Sequence, residues 1–116
     1  MDQARIDALA QTTIAPQKLL IDGAWQEGEG ESLPVLSPID GQQITTLQAA
    51  SQNDVARAVA SARAAFDDGR WSRRAPSERK KVLHRLADLI EQHALELAVL
   101  GVRDNGTEMS MAFKAE

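Results

Sequence analysis

The chain contains no cysteine. It can therefore form no disulfide, no thiolate metal site and no cysteine nucleophile, a composition that fits a reducing compartment. Positive charge is not in excess either: 17 acidic against 13 basic side chains give a formal net charge of -4. That balance creates no global attraction for nucleic acid or anionic lipid. The first fifteen residues carry Asp2, Arg5 and Asp7 and no continuous apolar run, so neither a signal peptide nor a membrane anchor is expected there, and a cytoplasmic location is. Internal repeats at solenoid spacing and long low-complexity tracts are missing too. What is present is ordinary for a folded domain: 43% apolar and 26% charged residues, in a length that supports one modest core.

The order of elements is strands first, helices second. Ile6, Leu9 and Ala10 stand at helical spacing before Pro16, which suits a short amphipathic helix or a frayed end. Leu19 to Ile21 and Ala24 to Gln26 flank Asp22-Gly23, the dipeptide suited to the two positive-φ residues of a type I′ hairpin turn. Glu27 to Ser32 alternates acid with glycine and predicts an exposed loop. A short strand around Val35 and Leu36, a Pro38 to Gly41 turn and a second strand through Ile44 to Leu47 follow,.

Two long helices come next. Ser51 and Asp54 have capping-box spacing,. Val55, Ala58, Val59, Ala62, Ala65 and Phe66 then form an apolar stripe that ends at Gly69, a residue suited to a left-handed cap,. Pro76 and Glu78 suit the start of a second helix,. Its stripe is Val82, Leu83, Leu86, Leu89, Ile90, Ala94, Leu97 and Leu100, with a stop at Asn105-Gly106,. Met109, Ala112 and Phe113 open a third helical stripe,.

Few residues carry chemistry. His84 and His93 are nine apart, so they cannot form the four-residue histidine pair of a helical zinc site. The basic residues Arg70, Arg73, Arg74, Arg79, Lys80, Lys81 and Arg85 read as a solvated helix face whose stems cover apolar surface, with a nucleic-acid footprint as the lesser alternative. Gly28 and Gly30 lack the third glycine, preceding strand and following helix of a dinucleotide cradle,. Glu27, Glu29 and Glu31 lack a calcium-loop pattern,. Asp104-Asn105-Gly106 reads as a helix terminus, with Asp104 as a ligand the sharper alternative.

Read in order, LLIDGAW, SPIDG, DVARAVASARAAFDDGRWS, ER with VLHRLADLIEQHALELAVL, and DNG resemble the start of the aldehyde dehydrogenase superfamily. The closing DNGTEMSMAFKAE resembles the group acting on γ-glutamylaminobutyraldehyde and related amino-aldehydes. Ala75, Gly101 and Arg103 depart from the family pattern, in which a serine or threonine cap, a glutamate and an apolar residue are usual.

The resemblance implies an α/β fold in which short antiparallel strands precede helices that pack on a Rossmann-like domain outside this chain. Residues 1–17 are then an extension, and 18–116 the first strands and helices. It implies a protein that oxidises an aldehyde to a carboxylic acid with NAD or NADP and assembles as a homodimer or homotetramer, without nucleic-acid or membrane partners. Its chemistry uses a cysteine thiolate on the aldehyde carbon, hydride transfer to the nicotinamide and a glutamate to activate water. No catalytic or cofactor-binding residue falls in this chain. One family site reaches it, a monovalent cation held by main-chain oxygens at Val35 and Leu36 and the carboxylate of Asp104. A stand-alone helical interaction module without catalysis is the competing expectation.

Overall fold

The computed structural model describes residues 2–115 and has the predicted order of short antiparallel strands followed by helices. Helix α1 (Gln3–Ala10) is a capped helix and not a frayed end: Asp2 Oδ1 accepts from the Ala4 N–H at 3.1 Å. Strands β1 (Leu19–Ile21) and β2 (Ala24–Gln26) form the hairpin, pairing Leu20 with Trp25. Its turn residues have φ of 52° at Asp22 and 74° at Gly23, the two positive values that a type I′ turn requires.

Strands β3 (Ser32–Leu36) and β4 (Gln43–Gln48) form a second antiparallel pair, with a register shift between Val35 and Leu36. Strand β3 starts at Ser32, earlier than Val35, and includes Pro34. The missing proline N–H is tolerated because, among the described residues, β3 pairs with β4 alone,. On its other side β4 receives Gln17, whose N–H donates to Thr46 O at 2.8 Å.

Helix α2 (Gln52–Asp67) opens on the Ser51–Asp54 capping box and is followed by Gly69 with φ of 75°. Helix α3 (Pro76–Asn105) has Pro76 in its first turn and closes on left-handed Gly106, whose N–H donates to Val102 O at 2.9 Å. Helix α4 (Met109–Ala115) folds back on α3, as α1 does from the other end of the chain. Thirty residues at 1.5 Å each give α3 a length of about 45 Å, which accounts for the 47 Å long dimension of a molecule only 18 Å thick. Its radius of gyration is 17.7 Å, against about 13 Å for a compact chain of this length.

Such a plate cannot bury both helical stripes. Among the described residues the buried apolar ones are Ala98, Val99 and Ala112, so most of the apolar stripe of α3 stays uncovered within this chain. The covered surface lies on its C-terminal half, under α1 and α4, and centres on Ala98 and Val99. Val82, Leu83 and Leu86 remain exposed. On α2 the side facing the β1–β2 hairpin, at Ala58, Ser61 and Ala65, is half-buried, whereas Phe66 is 64% exposed.

Candidate functional site

Asp104 lies in the last turn of α3, and the chain there is positioned by a close approach. Gly106 sits against the β3–β4 turn, where an added Cβ would stand 3.2 Å from Pro38 Cγ. The helix end is thereby held beside β3. Val35 and Asp104 line one cleft of about 380 Å³, together with Ile14, Ile44, Leu100 and Arg103. Leu36 lies outside that lining. Arg103 reaches across to donate from Nη1 to Thr12 O at 2.7 Å. The register shift falls between Val35 and Leu36, and such a bulge locally disrupts the ladder that would otherwise engage main-chain groups. Among the described residues no group of three or more His, Cys, Asp or Glu side chains is placed to hold a metal ion. A cation here would depend on main-chain oxygens beside the Asp104 carboxylate.

A second constellation joins the acid-glycine segment to α2: Glu27 to Glu31 is the expected loop, exposed at its three glutamates, and it is tied down at its glycines. Gly28 is buried and Gly30 half-buried against the end of β4. The Gly30 N–H donates to Ala49 O, and the Ala49 N–H to Glu31 O, both at 2.9 Å. Glu29 is not merely solvated: its carboxylate meets Ser51 Oγ at 3.1 Å, the Asn53 amide at 3.3 Å and Arg57 at 3.7 Å. Glu27 pairs with Lys18 at 2.8 Å.

Asp54 is the centre of this constellation and is fully buried. Its Oδ2 accepts from the Glu29 and Ser51 N–H groups, each at 2.8 Å, while Oδ1 pairs with Arg57. The Glu29 N–H first, then the Ser51 N–H, hold the carboxyl down to about 2, because hydrogen bonds to the charged form stabilise it. A carboxylate so engaged is a clamp between loop and helix, with no proton to give at neutral pH. Its role at the helix start is readable from Ser51 and Asp54, but its bond to Glu29 is not, because no local pattern announces a partner 25 residues away.

The remaining candidates are structural. Arg70 pairs with Asp68 at 2.6 Å, lowering the Asp68 carboxyl, and Arg73 donates to Asp67 O at 3.1 Å. These two arginines tie the α2–α3 connection together. His93 meets Glu96 at 3.1 Å on its own helix.

The model of the aldehyde dehydrogenase family matches residues 25–116. The chain belongs to that family. It is 45% identical over 100 residues to aminoacetaldehyde dehydrogenase of Pseudomonas aeruginosa, covering 85% of this chain and 20% of that protein. It resembles an indole-3-acetaldehyde dehydrogenase in its apo form at a TM-score of 0.89 and 36% identity, covering 98% of this chain and 26% of that one. A betaine aldehyde dehydrogenase of Staphylococcus aureus in complex with NAD+ matches at a TM-score of 0.85 and 28% identity, covering 97% and 22%. The chain thus spans about a fifth of the length of the aminoacetaldehyde dehydrogenase and about a quarter of the indole-3-acetaldehyde dehydrogenase.

Proposed function

We propose that this chain supplies the amino-terminal strands and helices of an NAD- or NADP-dependent aldehyde dehydrogenase that oxidises an aldehyde to a carboxylic acid. The observation that carries the reading is the likeness of 98% of the chain to an indole-3-acetaldehyde dehydrogenase. The similarity to aminoacetaldehyde dehydrogenase and the closing DNGTEMSMAFKAE favour a small amino-aldehyde as substrate. We place the whole enzyme in the cytoplasm as a homodimer or homotetramer. Among the described residues no helix is long and apolar enough to cross a membrane. The bare faces of α2 and α3 would also suit a stand-alone interaction module, but family membership favours the enzyme.

On this reading the chain is scaffold and inert by itself. The family's thioester chemistry needs a thiolate, and the chain has no cysteine to supply one. Mixed with NAD and aminoacetaldehyde, the isolated chain is expected to form no NADH above background. A chimera in which this chain replaces the matching fifth of the Pseudomonas aeruginosa enzyme is expected to retain NAD-linked aldehyde oxidation. Turnover by the isolated chain would overturn the scaffold role, and a chimera that neither folds nor oxidises would overturn the family role.

We further propose that the main-chain oxygens of Val35 and Leu36, with the Asp104 carboxylate, hold a monovalent cation. Three oxygen donors suit a hard ion, and the shared cleft of Val35 and Asp104 and the bulge beside them support the assignment. The ion would fasten the end of α3 to β3. Potassium or sodium chloride is expected to raise the thermal midpoint of the chimera above that in choline chloride, by about 1.4 kcal/mol of stability at ten times the dissociation constant. Asp104→Asn should abolish the difference; its persistence would remove Asp104 from the site.

A further inference from the structure

Arg79, in the first turn of α3, is half-buried, and its Nε is withdrawn from water with no hydrogen-bond partner. Among the described residues it joins no ion pair, whereas Arg57, Arg63 and Arg70 all pair with acids. Arg103, the other half-buried arginine, donates to Thr12 O. A guanidinium Nε–H withdrawn from water is a donor left unmet, and planar carboxylate is the acceptor best matched to the guanidinium fork.

The groove around it has a volume of about 460 Å³ and is lined by Pro76, Arg79, Lys80, Leu83, His84 and Ala87. Two cations and no carboxylate stand on apolar walls. The apolar surface continues beyond the groove to exposed Val82 and Leu86, more than a small anion would cover. A second copy docked face to face would set Arg79 and Lys80 against their own counterparts, because a two-fold contact brings the same patch together. The matched indole-3-acetaldehyde dehydrogenase has roughly three-quarters of its length outside the region this chain spans.

We propose that Arg79 anchors this groove to a carboxylate-bearing face of the part of the aldehyde dehydrogenase fold that this chain does not span. The inference rests on the family role proposed above. It predicts a change of sign between two contexts for Arg79→Met. In the isolated chain, replacing a half-buried unpaired cation by an apolar side chain is expected to leave the thermal midpoint unchanged or raise it. In the chimera with the Pseudomonas aeruginosa enzyme, the same substitution is expected to lower the midpoint by several degrees, because it strands the partner carboxylate. Lys80→Met, at an exposed neighbour, should change neither midpoint appreciably.

A chimera that fails to fold and oxidise aldehyde overturns the family role and this inference with it. An active chimera whose midpoint is unmoved by Arg79→Met overturns this inference alone. So does an equal loss in the isolated chain, which would place the partner within these 116 residues. Sedimentation showing that the isolated chain dimerises, and that Arg79→Met abolishes the dimer, would assign the groove to a second copy and overturn it as well.

Discussion

Gly28→Ala is expected to destabilise the chain by about 3 kcal/mol or more, at the upper end of the cost of overpacking a well-filled site. Gly28 is buried, and a Cβ there would stand 2.9 Å from Gln48 O and closer still to Ala49 O. Both atoms are main chain, so no side chain can swing aside. Relief requires moving the end of β4 away from the 28–30 segment, which would loosen the Gly30 to Ala49 hydrogen bond and draw the Glu29 N–H off Asp54. Domains are stable by about 5–15 kcal/mol, so this one methyl group removes a large share of the total. Gly101→Ala provides the contrast. Gly101 lies inside α3 with nothing within 4 Å of an added Cβ, and alanine there should stabilise by about 0.5–1 kcal/mol through helix propensity. Urea melts followed by circular dichroism distinguish the two; midpoints displaced in the same direction would mean that the close approach to β4 is not as described.

Acid should loosen the same joint. The Asp54 carboxyl is held at about 2, below its ordinary value of 3.8. A depressed carboxylate stabilises the fold fully above its unfolded pKa, and that contribution is lost as pH falls through the folded one. The expected window therefore runs from about pH 4 down to about pH 2, in the direction of lower stability at lower pH. Asp54→Asn should lower the thermal midpoint at pH 7 by several degrees, because an amide keeps one oxygen for the two N–H groups and turns an NH2 donor towards the Arg57 guanidinium,. It should also flatten the acid limb of the stability curve. The comparison is between the wild type and Asp54→Asn at pH 7, 4 and 2.5; equal losses in both over that range would show that other carboxylates govern the acid limb. Asp68 and Asp40, whose carboxyls are also lowered, contribute in the same direction but remain exposed.

Two segments make contacts that no local pattern announces, and for one reason. Glu27 to Ser32 has the composition of a solvated loop, and by local rules an acid-glycine alternation carries too little apolar surface to order itself. Its order comes from outside, from Ala49 carbonyl bonding and from the clamp at Asp54. The stripe of α3 is correctly periodic, but periodicity names a face and not the part of that face that finds cover. Cover is supplied by α1 and α4 at one end of the helix, which is why Ala98 and Val99 are buried while Leu86 is 52% exposed. The cation assignment occupies a middle position. The DNG word marks Asp104, and only the fold brings Asp104 and Val35 to one cleft.

The sequence by itself determined the features set by neighbours in the chain. The positive-φ turn at Asp22-Gly23, the Ser51–Asp54 cap, the left-handed stops at Gly69 and Gly106 and the ordered words of the family all depend on residues within a few positions of one another. Tertiary structure decided which groups leave water and which meet. Gly28 against β4 and Asp54 beneath Glu29 depend on segments distant in sequence, and local propensity carries no information about such encounters.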